Sequence, residues 1–355
     1  MAEKNLDFDT VIDRTHTNSL KYDFAVQRGK PKDVLPLWVA DMDFQVSSYI
    51  QEALSGSVAH GIFGYSEAEG SYFEAVAGWM SRHYGWNVEE TWLVKTPGIV
   101  FALAQAVRAF TEPGDAVLLQ QPVYYPFSQV IRDNGRKIVD NTLVQGEDGR
   151  YRIDFTDFEE KIRSAHVKLF FLCNPHNPVG RVWTREELLR LGDICEKYGV
   201  IVVSDEIHAD FVFEGSHQVL AGLKESYRKF VVTCTAPSKT FNLAGLQVSN
   251  IFIPDDALRR KFEQAVAASG YSQLNTMGLV ACEAAYRHGG EWYDAVKAYI
   301  RENLAYAQHF LEEQIPQVKA VKPEGTYLLW VDFRSLGLSG KELEDLIVKK
   351  AGLWL

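Results

Sequence analysis

The sequence is poor in cysteine and in positive charge, and it contains no long apolar run. Its four cysteines, Cys173, Cys195, Cys234 and Cys282, are widely spaced within apolar stretches, so they predict four buried thiols rather than a disulfide framework or a CxxC site. The 37 Lys and Arg residues against 47 Asp and Glu give a formal net charge of −10, which disfavours nucleic acid as a partner. A membrane helix needs about 20 consecutive apolar residues, and the sequence has no such run, so we expect no membrane partner. We also predict no metal site.

Residues 1–10 lack the basic segment and the apolar stretch of a secretory signal, so we expect a cytoplasmic protein. The 355 residues, of which 46% are apolar and 24% charged, are enough to bury a large core. A chain of this length favours one large domain together with a smaller one.

Short β-branched apolar runs alternate with amphipathic helical stretches through the middle of the chain, which is typical of βαβ units and a mainly parallel sheet. Thr184 and Glu187 form a capping-box pattern, which predicts a helix over Arg185–Tyr198. Gly199 then ends this helix. The predicted strands are Ala116–Leu119, Val167–Cys173, Val200–Ser204, Phe230–Thr235 and Val248–Ile253.

The C-terminal part of the chain has a different order of elements. It predicts a long helix, a strand pair and a last helix, over Ala295–Glu313, Val318–Val321 with Tyr327–Asp332, and Gly340–Lys350 respectively. The predicted fold class is therefore α/β, with a mainly parallel (mixed) sheet and flanking helices in a large domain, residues 46–285. A smaller α+β domain is expected from both chain ends, residues 1–45 with 286–355.

Ligands of α/β sheets lie beyond the carboxyl ends of the strands, so the polar residues that follow each apolar run are the candidates for a site. Residues 174–180 supply two amides, residues 204–208 supply carboxylates, and residues 235–242 supply Lys239. Residues 96–100 precede the helical stretch Phe101–Phe110, whose free amides and dipole favour a phosphate. Alternation along an extended chain would point Asp205 and Glu206 to opposite sides.

Each of these features has an ordinary structural explanation. A lone lysine is usually a solvated charge, an aspartate after a strand usually caps a helix or joins an ion pair, and Pro-Gly before a helix is common. A lysine, a carboxylate and a phosphate cradle at the strand ends of one sheet form a more specific combination.

Further segments extend this pattern over nearly the whole chain: Trp38–Phe44, Gly64–Tyr65, Gln121–Phe127, Asn174–Gly180, Ser204–His208, Ser238–Asn242 and Glu324–Tyr327. With them the chain resembles the fold-type I pyridoxal-phosphate (PLP) enzymes of the class I/II aminotransferase superfamily. Within that superfamily it is most similar to the cystathionine β-lyase, or C-S lyase, branch. The resemblance implies a PLP-binding large domain and a homodimer with sites near the interface.

The resemblance also implies roles for individual residues. Lys239 would be the catalytic residue that holds PLP as a Schiff base, and an ionised Asp205 would keep the pyridine nitrogen protonated. Asn177 would bond the phenolic oxygen of the ring, and Tyr124 would stack on its face. The other implied cofactor contacts are His208, the phosphate-binding Gly98, Ile99, Thr235 and Ser238, and Tyr65 from the second subunit. The substrate contacts would be Ala40, Asn177 and Tyr327.

The sequence departs from the superfamily pattern at three places. Many aminotransferases carry an arginine where this chain has Gln247, so helix amides and hydroxyls must neutralise more of the phosphate. They carry tyrosine where this chain has His208, which favours the lyase branch, although a surface histidine is the alternative. The arginine that grips the substrate carboxylate would follow the last helix, yet no arginine follows Arg334, so we expect a truncated C-terminal end.

The expected reaction is β-elimination of cystathionine or a similar sulfur amino acid to a thiol (homocysteine), pyruvate and ammonia. A PLP-dependent aminotransferase acting on an amino acid and a 2-oxo acid is the alternative, because it shares every step up to removal of the α-proton. A PLP-binding regulator has no DNA-binding helix pair or basic arm in its favour. A nicotinamide dehydrogenase would need a G-x-G-x-x-G after a strand, which the sequence lacks.

Overall fold

The computed structural model describes residues 3–355, and Met1 and Ala2 of the predicted small domain lie outside the described residues. The strands are β1 (Leu35–Pro36), β2 (Leu93–Thr96), β3 (Ala116–Leu119), β4 (Lys137–Asp140), β5 (Val144–Gln145), β6 (Tyr151–Arg152), β7 (Leu169–Cys173), β8 (Ile201–Asp205), β9 (Val231–Thr235), β10 (Ser249–Phe252), β11 (Lys319–Ala320), β12 (Val331–Asp332) and β13 (Leu353–Trp354).

The helices are α1 (Ser48–His60), α2 (Gly70–Tyr84), α3 (Ile99–Phe110), α4 (Pro126–Asp133), α5 (Phe155–Ala165), α6 (Arg185–Tyr198), α7 (Leu220–Leu223), α8 (Pro237–Thr240), α9 (Asp256–Ala268), α10 (Thr276–His288), α11 (Gly290–Gln314) and α12 (Gly340–Glu344). Short 3₁₀ turns lie between them, and a π-helical segment, Asp345–Lys350, follows α12. None of the helices within residues 3–355 is long and apolar enough to cross a membrane.

Seven strands form the central sheet in the order β2-β10-β9-β8-β7-β3-β4. The strands from β9 to β4 are parallel, whereas β10 runs antiparallel to both of its neighbours, β2 and β9. The predicted α/β class with a mainly parallel sheet and flanking helices is therefore confirmed, as are the five predicted strands. The sequence reading missed β2 and β4, which are the two edges of the sheet.

The core fills both faces of this sheet. Along β7, Phe170 and Leu172 pack into one apolar cluster, whereas Leu169 and Phe171 pack into the other. A strand buried on both faces reads as a continuous apolar run, which is why the central strands are visible in the sequence. All four cysteines are buried and unpaired, as predicted, and burial raises the pKa of each thiol.

The helix predictions are confirmed in α6, with its Thr184–Glu187 capping box, and in α11, which begins five residues earlier than predicted. The predicted last helix is α12 continued by the π-helical segment. The predicted strand Tyr327–Asp332 is wrong in length, because only Val331 and Asp332 pair, with β11. Thr326, directly before the predicted strand, has a left-handed backbone with a φ of 64°, which is not a strand conformation.

The two ends of the chain meet away from the central sheet. β1 pairs in parallel with β13, and the ring of Trp38 stacks on that of Trp354 with 4.4 Å between centroids. Near the N-terminus, Phe8 packs edge-on against Phe44 and Trp292. Contacts of this kind join the first 45 residues to the C-terminal part of the chain.

Gly180 and Gly199 allow a crowded glycine position to be compared with an open one. Both have left-handed backbones, but a Cβ on Gly180 would lie 2.9 Å from Cα of Pro323, whereas a Cβ on Gly199 would meet nothing within 4 Å. We expect Gly199→Ala to lower the free energy of unfolding by about 1 to 2 kcal/mol and Gly180→Ala to lower it by a further 1 to 3 kcal/mol, roughly. Urea unfolding of both variants measures the difference, and equal losses would contradict it.

Candidate functional site

The parallel register places three polar segments side by side. Cys173 at the end of β7 is paired with Asp205 at the end of β8, and Asp205 is paired with Cys234 in β9. The segments that follow these strands begin at the same edge of the sheet. The structure therefore brings together the regions that carry Asn177, His208 and Lys239.

Lys239 lies in α8, the single helical turn that follows β9. Its Nζ donates a hydrogen bond to the backbone carbonyl of Ala40 at 3.0 Å. Burial lowers the pKa of Lys239, and the carboxylates of Asp41 and Asp205 act in the opposite direction. The ordinary reading of Lys239 as a solvated surface charge is therefore wrong.

Asp205 is buried, with 4% of its surface exposed. Within residues 3–355, the only hydrogen bond to its carboxylate comes from the Ile207 N–H, at 3.2 Å. Burial, with a smaller contribution from the charge of Glu206, raises the pKa of Asp205 to about 7, although Lys239 partly offsets this shift. The carboxylate thus lacks a strong partner of its own.

Glu206 has different partners, as the predicted alternation requires. Its carboxylate accepts hydrogen bonds from the Ser204 hydroxyl at 2.7 Å and from the Leu220 N–H at 3.3 Å, and it lies 2.8 Å from His217 Nε2. This buried network satisfies Glu206 within the fold and leaves Asp205 as the carboxylate on the side of Lys239.

His208 is 1% exposed, so the alternative of a surface histidine is wrong. Burial, helped by the charge of Lys239, lowers its pKa to about 3, so the imidazole is neutral at physiological pH. Its Nε2 lies 3.5 Å from Asn177 Nδ2, and within the described chain its buried Nδ1 has no hydrogen-bond partner. A buried polar atom without a partner is rare in folded proteins, so the His208 ring is a candidate for binding a ligand.

The side chains of Asn174 and Asn177, the two predicted amides, have different hydrogen-bond partners. Asn174 donates from Nδ2 to the backbone carbonyl of Gln218 at 3.0 Å, which makes it part of the scaffold. Asn177 faces His208, and its backbone carbonyl accepts from the Tyr124 N–H at 3.1 Å. Tyr124 is 37% exposed, and partial burial, with smaller effects of Tyr125 and Asp205, raises its pKa to about 12.

The carbonyl of Ala40 is a shared acceptor that lies far from both donors in sequence. The Tyr327 hydroxyl donates to it at 2.8 Å, alongside Lys239. Asn242 holds the segment in place, because its side chain accepts from the Met42 N–H at 2.9 Å and donates to the Met42 and Phe44 carbonyls. All three predicted substrate contacts, Ala40, Asn177 and Tyr327, therefore line the same site as Lys239 or His208.

An ion pair between Glu324 and Arg181 fixes the segment that carries Tyr327. The carboxylate of Glu324 binds the buried Arg181 at 3.0 Å and the Val182 N–H at 3.0 Å. The N–H groups of Glu324 and Gly325 donate to the Gly180 carbonyl. These bonds place the Tyr327 ring edge-on against Phe211 and His208.

The predicted phosphate residues gather where β2, β10 and β9 meet. The Gly98 N–H donates to Ser249 Oγ at 3.1 Å, and Gly98 precedes α3 with a positive φ and no side-chain cap. Thr235 pairs with Asn250 in the neighbouring register, and its hydroxyl donates to the Asn250 carbonyl at 3.0 Å. The phosphate contacts of Gly98, Ile99, Thr235 and Ser238 stay predictions, as does the contact of Tyr65, which is 98% exposed.

Sequence reasoning missed three groups that the structure adds to the site. They are the half-buried Asp41, whose charge acts on Lys239, the clamping side chain of Asn242, and Asp210, which binds the residue after Lys239. A second aspartate soon after Asp205 was the only available signal for Asp210. Among residues 3–355, no group of three or more His, Cys, Asp or Glu side chains is placed to hold a metal ion.

A surface cavity of about 630 Å³ lies elsewhere, and its lining includes Arg150, Glu214, Lys322 and Glu324. Its charges pair with one another, Lys322 with Glu214 and Arg150 with Glu324. We therefore assign the site to the polar cluster at the strand ends, where buried groups lack partners among the described residues.

A mainly parallel sheet that presents a half-buried lysine and a buried carboxylate on adjacent strand ends defines the large domain of a fold-type I PLP enzyme. The chain belongs to the family Aminotransferase class I and II, which it matches over residues 32–355. Its resemblance to the cystathionine β-lyase branch of that superfamily is confirmed.

Three relatives illustrate this similarity. Cystathionine beta-lyase PatB of Bacillus subtilis is 47% identical over 346 residues, which cover 97% of this chain and 89% of PatB. Cystalysin of Treponema denticola, solved with pyridoxal 5'-phosphate, has a TM-score of 0.94 at 37% identity, covering 98% of this chain and 89% of that one. The PLP-bound C-S lyase of Staphylococcus hominis has a TM-score of 0.91 at 33% identity, covering 99% and 89%.

The raised pKa of Asp205 makes the stability of the cofactor-free protein depend on pH. A carboxyl whose pKa rises on folding binds more protons in the folded state, so its contribution to stability falls as pH rises from about 4 to about 7. The amide of the Asp205→Asn variant does not titrate, so we expect this variant to gain roughly 2 to 3 kcal/mol relative to the parent chain between pH 5 and pH 8.

Urea unfolding of both cofactor-free proteins at pH 5 and pH 8 measures this difference. Asp157→Asn is a suitable control, because Asp157 is partly exposed and its pKa is lowered, not raised. A stability difference between Asp205→Asn and the parent that does not change with pH would contradict the burial of an unpaired carboxylate.

Proposed function

We propose that this chain is a PLP-dependent carbon-sulfur lyase that cleaves cystathionine or a similar sulfur amino acid by β-elimination, giving a thiol, pyruvate and ammonia. The observation that carries the proposal is the meeting of Lys239, Asp205, His208 and Asn177 at adjacent strand ends. The 47% identity to a named cystathionine β-lyase over almost the whole chain supports the choice of reaction.

The residues present fit PLP. Asp205 offers a buried carboxylate with a single backbone donor, which suits the protonated ring nitrogen. The buried Nδ1 of His208 also lacks a partner within the described residues. Gly98 and Ile99 begin a helix of twelve residues whose first amides and dipole suit a phosphate. PLP held at Lys239 would supply an electron sink for the substrate α-carbon, which is the chemistry that a β-elimination requires.

The side chains of this chain have to hold and move protons around that centre. Burial lowers the pKa of Lys239, so its amine is more readily available as a base than that of a solvated lysine. The Ala40 carbonyl orients this amine, and the Tyr327 hydroxyl on the same carbonyl keeps the acceptor fixed. We infer that Lys239 takes the substrate α-proton.

The remaining groups fix geometry and charge. An ionised Asp205 would keep the pyridine nitrogen of PLP protonated, Asn177 would donate to its ring hydroxyl oxygen, and Tyr124 would supply an aromatic face. His208 stays neutral, so it faces Asn177 without adding charge to the site. An aminotransferase would use the same groups for proton removal, and it is less supported because PatB and the S. hominis enzyme are named as lyases.

We also propose that the chain acts as a homodimer in the cytoplasm, with Tyr65 reaching the site of the second subunit. Ile62 and Phe63, which lie close to Tyr65 in the sequence, are exposed as well. Residues 62–65 therefore present an apolar surface. Ser66 anchors the segment by a hydrogen bond of 2.6 Å between its hydroxyl and that of Thr276. The division into a large domain, 46–285, and a small domain, 1–45 with 286–355, belongs to the same proposal.

Product analysis tests the reaction. Incubation with cystathionine and no 2-oxo acid should give equal amounts of thiol, pyruvate and ammonia over many turnovers, and Lys239→Ala should abolish both turnover and the borohydride-trapped PLP adduct. Lys161→Met is the control, because Lys161 is also a partly buried lysine but its Nζ binds the Asp140 carbonyl and the Asp157 carboxylate, away from Lys239.

Two outcomes would contradict this proposal. A Lys239→Ala protein that still turns over would remove Lys239 from the chemistry. A single turnover that only an added 2-oxo acid restores would identify an aminotransferase.

His208→Tyr tests whether the buried imidazole sets the reaction type. The larger phenol must fit beside Tyr327 and Asn177, so we expect kcat for cystathionine to fall about tenfold or more, equivalent to about 1.4 kcal/mol. The affinity for PLP, measured by absorbance titration, should change by less than about threefold, roughly 0.6 kcal/mol. Equal losses in kcat and in PLP affinity would show that His208 only holds the cofactor.

A further inference from the structure

Asp210 lies on the segment after β8, two residues beyond His208, and it is 7% exposed. Both of its carboxylate oxygens accept hydrogen bonds. The Thr240 hydroxyl donates to Oδ2, and Trp79 Nε1 donates to Oδ1 at 2.9 Å. The Tyr84 hydroxyl also donates to Oδ1.

The hydrogen bond from Thr240 to Asp210 lies next to Lys239, because Thr240 directly follows Lys239 in the chain. The ladder between β8 and β9 ends where the Glu206 N–H donates to the Cys234 carbonyl at 2.9 Å. Beyond that point the Asp210 carboxylate joins the segment that carries Asp205 and His208 to the helical turn that carries Lys239.

Asp210 is itself held from other directions. The Tyr293 hydroxyl, from α11, donates to the Asp210 backbone carbonyl at 2.6 Å. Trp79 belongs to α2 and stacks on His83 with 3.8 Å between ring centroids. The carboxylate and the backbone of Asp210 are thus both held by hydrogen bonds from other helices and turns.

The contact between Asp210 and the Lys239 turn is made by a neighbouring side chain. The carboxylates whose charges act on the pKa of Lys239 are Asp41 and Asp205. The hydrogen-bonded path from Asp210 to Lys239 runs through the Thr240 hydroxyl and the backbone of α8.

We propose that Asp210 is a positioning residue that, through Thr240, fixes where the Lys239 amine stands relative to Asp205 and His208. The proposal rests on the proposed function in that Lys239 is the lysine that captures PLP. A catalytic amine misplaced by about 1 Å loses on the order of a hundredfold in rate. The Thr240–Asp210 bond is a side-chain contact that opposes such movement of the turn.

Four variants of the full chain separate this role from general stability. Thr240→Val removes the donor with little change in shape, whereas Thr240→Ser keeps the hydroxyl. Asp210→Asn replaces one acceptor oxygen with a donor amide. Tyr84→Phe is the matched control, because it also removes one donor to Asp210 but leaves the Thr240 bond intact.

The first measurement is the rate at which the cofactor-free chain forms the imine absorbance band after PLP is added. The second is kcat and KM of the PLP-loaded enzyme with cystathionine, and the third is thermal unfolding of each variant. We expect Thr240→Val and Asp210→Asn to slow imine formation and kcat about tenfold or more, with KM changed less than about threefold. Thr240→Ser and Tyr84→Phe should stay within about twofold of the parent in both rates.

Imine formation at the parental rate in Thr240→Val would overturn the proposal. Equal slowing in Tyr84→Phe would also overturn it, because the effect would then follow lost packing in general. If Asp210→Asn does not fold, Thr240→Val against Thr240→Ser decides alone. Lys239→Ala separates this proposal from the proposed function, since PLP capture by that variant would disprove the role of Lys239 itself.

Discussion

Burial disfavours the charged forms of both Lys239 and Asp205, and the opposite charge of each partly offsets that cost for the other. Among residues 3–355, no direct ion pair joins them, so the two charges act on each other across the site. In a low dielectric such groups respond strongly to a ligand placed between them. The fold must therefore keep them at a fixed separation while leaving both accessible to a bound molecule.

Three devices keep that separation. The parallel register of β7, β8 and β9 sets the spacing of the segments along the sheet edge. Asn242 ties the Met42 backbone to the segment after Lys239, and Arg181 ties Glu324 to the segment after β7. Each tie is a buried or half-buried side chain bonded to a segment distant in sequence, and a fully satisfied polar network of this kind rigidifies a site.

The sequence predicts the central strands of the sheet better than its edge strands. The central strands are apolar on both faces and stand out, whereas the edge strands β2 and β4 contain Lys95 and Lys137 and do not. Lys239, Asp205 and Asn177 were predicted from their positions after strands and from family resemblance. The contacts of Ala40 with Lys239 and Tyr327 span 199 and 287 residues, and no local pattern encodes such pairings. Asp210 was missed for the same reason, since its partners come from three separate helices or turns.

The burial of all four cysteines takes on a meaning once a thiol is the expected product. Thiol–disulfide exchange needs an accessible thiolate, and here each thiol is enclosed by the core and kept protonated by a raised pKa. Cys173 and Cys234 lie in the very strands that carry the site, yet both are fully inside the sheet. A disulfide formed by later oxidation of such a thiol could exchange only with an accessible thiolate, and the four buried cysteines of this chain offer none.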